Sequence, residues 1–509
     1  MRIKMKDFQQ HIQKAIRLIP VQIGLLALFF AVYHLLLKYI MRETGLDLGA
    51  VGYNNHVVPL YAQPSFDLSL WILPALVVCV GFLYLCHRYL LSDISDRRLI
   101  SIAIVCFVAI NISVAQIDGY REIGTEDAKK QVLTLLEPYT RTGLEYYGDV
   151  PRVDELGIRR FLRDYSKPEL FDTLSGHTRT HPPGGVLFLW HVSGLFGYNL
   201  ISASLITILF TALTVIPIYR LADMLYGKKV AHYALLLFLI TPNFVMFTGT
   251  SMDGPFSVFP ILSVYLFYLA RERETVPDQK WHEFRPYSLF TGFSLAFGMF
   301  MTYSTVVVGV FLCVIALLER KRFVQYLKVL LFASSGFIGF YLLLFVLTGF
   351  RPIEALWAAI KKDEMGMGTG YESVGRYFHL SFANLFAFLI GVGFPITAVW
   401  LRQLVSVIRE WRQDALASEQ DIGEPRTLWI FRHETVDTFV IGFLITLLFF
   451  TFSTLFTMEV ERIWIFMVPF FVIPVAKHLT ARPLADSYWV AAILVAQLII
   501  GEVLLYTYW

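Results

Sequence analysis

Charge is what this sequence has least of. Only 16% of its 509 residues are Asp, Glu, Lys or Arg, and the formal net charge is +3. That is too little to attract a polyanion, and no block of basic residues alternates with aromatics on a polar segment, so nucleic acid is excluded as a partner. Cysteine is scarce too. Cys79, Cys86, Cys106 and Cys313 all fall inside apolar runs, where a thiol behaves as a small hydrophobe, so no disulfide framework is implied. Internal repeats and low-complexity tracts are missing as well, whereas a transporter built from inverted halves is expected to show two similar sets of spans.

What remains is apolar: 56% of the chain. Runs of about 20 such residues, each long enough to cross a hydrocarbon core of roughly 30 Å, recur along nearly the whole sequence. The fold class expected is an all-α polytopic membrane protein with about thirteen transmembrane helices, near 20–40, 68–88, 99–116, 199–221, 231–249, 255–270, 287–303, 304–319, 325–348, 384–402, 436–457, 463–477 and 487–508. The division expected is a tail with three N-terminal spans (1–116), an extracytoplasmic loop with juxtamembrane helices (117–198), and the remaining spans (199–509) with an outer loop at 349–383. The basic, amphipathic N-terminus is followed by a full-length apolar run with no small-residue cleavage site, and reads as a retained cytoplasmic tail.

Short loops rich in Lys and Arg stay in the cytoplasm. The N-terminal tail, Arg97 and Arg98, Lys228 and Lys229, Arg271 and Arg273, the 320–322 loop, Arg409 and Arg412, and Lys477 and Arg482 satisfy that rule in alternation. The opposite ends, and the C-terminus with them, are then extracytoplasmic, in a plasma membrane. Those ends collect polarity that membrane structure alone does not require. Asp118 closes the third span, and Glu126 and Asp127 stand at the head of an expected helix, where capping is an equally good account of them. The stretch SGHTRTHPPGGVLFLWH (175–191) reads as a loop holding His177 and His181, followed by an interfacial helix over 183–196 that the double proline initiates. The histidines have the i, i+4 spacing of a zinc pair, but no third ligand stands nearby, so no metal is assigned.

Asp253 crests an outer turn, TGTSMDGPF, where plain turn chemistry also explains an acidic residue. Glu459, Glu461 and Arg462 sit between two strongly apolar runs, where ionisable groups are costly unless paired or functional. Lys361, Lys362 and Arg376 lie on a glycine-rich loop, read either as a cover over a ligand or as a connector.

In their order, Thr180-His181-Pro182-Pro183, Tyr219 to Lys229 and Ser251 to Asp253 resemble the GT-C class of integral-membrane glycosyltransferases. The similarity is nearest to the branch of the protein O-mannosyltransferases and aminoarabinose transferases, with two spans added ahead of an eleven-span core. The resemblance implies a sugar donor on a polyprenyl phosphate, an acceptor hydroxyl on a glycan, lipid or protein, and an inverting displacement on the outer side. It leaves a divalent cation open as a cofactor. On this reading Asp118 or Asp127, with Glu126 beside it, is the catalytic base. Arg462 grips the phosphate, Lys361, Lys362 or Arg376 assist, and His177, His181, Asp253, Glu459 and Glu461 complete the substrate site. The rivals are a polytopic transporter or lipid flippase, and a non-catalytic scaffold of the cell envelope. A transporter is expected to place its ionisable residues near mid-membrane, whereas here they gather at the outer ends.

Overall fold

A computed structural model describes residues 18–44, 56–66, 68–90, 94–123, 130–274, 285–319, 322–367, 370–419 and 437–506. Among the described residues, six helices are long and apolar enough to cross a membrane: Ile19–Glu43, Asp96–Val114, Leu200–Tyr226, Asp253–Glu274, Phe323–Thr348 and Leu484–Leu504. The number rises to eight if two bent pairs count as one span each, and shorter apolar helices such as Thr438–Phe452 and Ile465–Thr480 stand where further spans are expected. The chain is an all-α, multi-pass membrane protein. Among the described residues, strands are confined to two short antiparallel ladders, Tyr120–Ile123 with Lys130–Leu133 and Gln63–Pro64 with Leu505–Tyr506.

The span expected at 384–402 is not one helix. Val374–Val392 meets Phe394–Glu410 at a bend of 111°, and Lys228–Phe238 meets Pro242–Thr250 at 54°. Gly393 takes φ 107, a conformation that glycine adopts without penalty. A Cβ there would stand 2.5 Å from Leu494 Cδ2 and 3.3 Å from Pro242 Cδ, so the two breaks abut. A broken span frees backbone groups that lipid cannot satisfy, and side chains take them here. Gln497 Oε1 accepts Phe394 N–H (2.8 Å) while its Nε2 donates to Ile390 O (2.9 Å), and Thr397 Oγ1 donates to Leu389 O (2.7 Å). Thr241 Oγ1 donates to Leu237 O (2.9 Å).

The segment 349–383 also departs from expectation. Most of it is helical, as Pro352–Met367 and Val374–Val392. Ile353 and Trp357 are exposed along the first of these while Ala355 and Ala359 are buried, which is the face pattern of a helix lying at an interface rather than of a loop.

Polar groups collect at the two ends of the bundle. At one end Lys228 and Arg220 pair with Asp96 (2.9 and 3.5 Å), Arg271 with Glu319 (3.8 Å), and Lys477 with Asp437 (2.8 Å). The helix Asp253–Glu274 carries Arg271 into this belt, and Asp253 starts the same helix about 27 Å away at 1.5 Å per residue. Asp253 belongs to the other end, where the candidate site forms.

Candidate functional site

Four segments distant in sequence meet there. The helix Pro242–Thr250 stops at Ser251, whose Oγ accepts Asp253 N–H at 3.2 Å and lies 2.8 Å from Asp253 Oδ2. Asp253 is thereby aimed at Arg462, with Oδ2 3.1 Å from Nη1. Nη2 of the same guanidinium donates to Glu459. Arg462 thus holds two carboxylates while almost wholly buried, a charge-assisted arrangement that outweighs its desolvation and raises its pKa.

Glu145 and His177 form the neighbouring pair. Backbone bonds from Gly176 N–H to Gly143 O (3.1 Å) and from His177 N–H to Leu144 O (2.9 Å) align the two stretches, and Asp149 Oδ2 accepts Ser175 N–H at 2.9 Å. Glu145 then stands 2.9 Å from His177 Nδ1. Burial disfavours both charges, yet their mutual attraction wins. The His177 pKa is raised and that of Glu145 is lowered, with Arg462 adding to the depression of Glu145. His181 behaves oppositely: burial, then the His177 charge, pull it down to about 4, so it is neutral at pH 7. The two shifts run in opposite directions because only His177 has a carboxylate in direct contact, whereas Asp253 acts on His181 more weakly than burial and the His177 charge do.

The HPPGG run is explained by packing. Gly176–Thr180 is a single helical turn rather than the expected loop, and the helix Gly184–Phe196 follows the prolines as anticipated. Tyr165 Oη reaches Thr178 O (2.5 Å) and His181 O (2.9 Å). A Cβ on Gly184 would meet Phe300 O at 2.2 Å, so only glycine lets this helix start against that backbone. Tyr146 lies edge-on to His181 (centroids 5.6 Å apart) and to Phe256 (5.5 Å), walling the histidines. A hollow of about 10 Å³, room for a single water, is lined by Glu145, Tyr146, Ser251 and Met252 among others.

Of the residues singled out in the sequence, Asp253, Glu459 and Arg462 are in direct contact, and His177 and His181 stand within their electrostatic reach. Glu461 Oε1 accepts Tyr61 N–H at 2.6 Å, and burial pushes its carboxyl up to about 7. Asp118 belongs to an adjacent network. Its Oδ2 accepts from Arg121 Nη2 (2.9 Å), while Arg141 and Tyr506 Oη bind Glu137 Oε1 at 2.8 and 2.7 Å. Arg121 and Arg141 lie over the Tyr506 ring, 4.3 and 5.2 Å from its centre.

Glu126 and Asp127 lie outside the described residues. Lys361 and Lys362 sit on the helix Pro352–Met367, and among the described residues neither makes an ion pair; Arg376 lies 3.6 Å from Glu372. Glu145 and Tyr146 are the residues that sequence reasoning passed over. Among the described residues no group of three His, Cys, Asp or Glu is arranged to hold a metal.

A multi-pass membrane protein with a buried, mixed-charge site at one end of its bundle is the class that fold and geometry define. A family model described as Dolichyl-phosphate-mannose-protein mannosyltransferase matches residues 180–348, roughly a third of the chain. This stretch holds His181 and Asp253 but neither Glu145 nor Arg462. Through it the chain resembles the GT-C glycosyltransferases, and the match supports a membrane glycosyltransferase of the mannosyltransferase type. No curated protein and no solved structure matches the chain.

Proposed function

We propose that the protein transfers a sugar from a polyprenyl-phosphate donor to an acceptor hydroxyl at the extracytoplasmic face of the plasma membrane, by inverting displacement. The observation that carries this reading is Arg462, brought from a distant segment to Asp253, inside the family-matched stretch, and to the Glu145–His177 pair.

In the reaction the acceptor oxygen bonds to the anomeric carbon as the bond from that carbon to the phosphate oxygen breaks. The hydroxyl proton passes to a carboxylate, and the polyprenyl phosphate leaves with the electron pair. Arg462 offsets the negative charge that grows on the leaving phosphate, exchanging a carboxylate partner for phosphate oxygens. His177, whose protonated form Glu145 favours, adds a second positive charge when protonated, and neutral His181 is suited to orient a sugar hydroxyl. For the base, the resemblance offers Asp118, Glu126 and Asp127; the geometry adds Glu145, next to Arg462. The two broken spans, a feature of transporters, do not favour transport here, because Gln497, Thr397 and Thr241 occupy their freed backbone groups.

Purified protein in lipid nanodiscs, given a panel of radiolabelled polyprenyl-phosphate sugars, is expected to label a glycan, lipid or protein acceptor. Arg462→Ala is expected to lower that rate about 100-fold or more. Asp118→Asn, Glu126→Gln, Asp127→Asn and Glu145→Gln, compared singly, identify the base by which one abolishes turnover. Absence of donor-dependent label across the panel overturns the proposal.

A further inference from the structure

Residues 56–64, between the helices Ile19–Thr44 and Ile72–Leu90, lie outside the family-matched stretch, yet they run directly past the charged site. Residues His56–Pro64 are tied down along their length. His34 Nδ1 lies 2.6 Å from Val58 O, Val57 N–H donates to Ala62 O (2.9 Å), and Tyr61 N–H donates to Glu461 Oε1 (2.6 Å). Gln63–Pro64 pairs with Leu505–Tyr506, and Ser65 N–H donates to Leu504 O (3.0 Å). Val58 and Tyr61 are buried with Leu37, Leu380 and Met458, the last of these next to Glu459. The Tyr61 ring reaches the site: its hydroxyl is pushed up to about 12 by burial and then by the charge on Glu459.

The turn that carries Arg462 needs such support. Glu459 takes φ 62, a left-handed conformation that costs a non-glycine residue free energy and persists only where the surroundings hold it. Three distant groups hold it here: Tyr61 N–H on the Glu461 carboxylate, Asn243 Nδ2 on Glu461 O (3.0 Å), and Asn384 Nδ2 on Phe456 O (2.6 Å).

We propose that His56–Pro64 is a strap that fixes Arg462 for the donor phosphate, and that Glu461, through its bond to Tyr61 N–H, is a positioning residue. This rests on the proposed transfer from a polyprenyl-phosphate sugar. The consequence is specific to the donor. A guanidinium displaced by about 1 Å loses much of its grip on the phosphate, since errors of that size cost up to about 100-fold, while acceptor binding is untouched.

Steady-state transfer in nanodiscs, with donor and acceptor varied separately, tests it. The wild-type protein must first turn over; if it does not, the functional reading fails and the strap is not at issue. Given turnover, Glu461→Ala is expected to raise the donor KM about tenfold or more with the acceptor KM unchanged. Glu461→Gln keeps an acceptor for Tyr61 N–H and is expected to recover most of that loss. His34→Ala removes one anchor of the strap, its contact with Val58 O, without touching the turn, and is expected to raise the donor KM in the same direction even if Glu461→Ala does not fold. An unchanged donor KM in Glu461→Ala or in a folded His34→Ala overturns the strap, as does a glutamine variant no better than the alanine.

Discussion

Arg462 carries an unusual burden for one side chain, because it pairs with both Asp253, which is buried, and Glu459, which is only partly exposed. Removing one partner of a buried ion pair costs about 3–5 kcal/mol, mostly from the charge left behind. Arg462→Ala is therefore expected to lower the thermal unfolding midpoint in detergent, and adding Asp253→Asn with Glu459→Gln is expected to recover much of it; a single variant as stable as wild type refutes the arrangement. The Glu145–His177 pair titrates in a defined direction. Its histidine has a raised pKa, so that contribution to stability is complete below the ordinary histidine value of 6.5 and is lost as pH rises through the folded value. Its carboxylate has a lowered pKa, so that contribution is complete above the ordinary value of 4.5 and is lost as pH falls through the folded one. The stability difference between wild type and Glu145→Gln, followed from pH 5 to 9, is expected to shrink toward the alkaline end. A difference that grows there contradicts the pairing.

Elements in this bundle are set by where backbones can touch. Pro286–Met301 and Phe323–Thr348 approach so closely that a Cβ on Gly292 would lie 1.6 Å from Ala333 O, and one on Gly336 2.3 Å from Leu289 O. Small residues permit such contact in lipid, where helix association depends on packing rather than on escape from water. Gly292→Leu forces the two helices apart and is expected to cost at least the ~1–3 kcal/mol of ordinary overpacking; wild-type stability in detergent would show that the contact does not form. The spans themselves were legible because hydropathy has one meaning in a bilayer, as at Phe323–Thr348. The break at Gly393 was not, because apolar residues continue on both sides and only the Gly393-Phe394-Pro395 sequence hints at a turn. Lys361 and Lys362 precede a run of glycines that suggests a loop, while Ile353 and Trp357 already have helical spacing. In the site, Arg462 stands out as a charge between apolar runs and Asp253 as an acidic residue at the crest of an outer turn. Glu145 does not, since its partner lies 32 positions away and is brought near by backbone bonds that no side-chain spacing reveals.

At the scale of the whole molecule, the two polar ends differ in kind. The Asp96–Lys228 and Asp437–Lys477 end carries simple, partly exposed ion pairs, whereas the Asp253–Arg462 end buries its charges among aromatic rings. Positive loops are retained in the cytoplasm, so the buried site should face outward, where a lipid-linked sugar must also be presented if the proposed chemistry holds. Single cysteines distinguish the ends. In a variant whose four native cysteines are replaced, Tyr198→Cys occupies an exposed position 53% accessible on the site's side, and Lys229→Cys an exposed position at the opposite end. With a membrane-impermeant maleimide on intact cells, Tyr198→Cys is expected to label at once and Lys229→Cys only after permeabilisation. The reverse pattern would put Arg462 in the cytoplasm, and a donor held at the outer leaflet would then be out of reach of the one guanidinium on which the proposed chemistry depends.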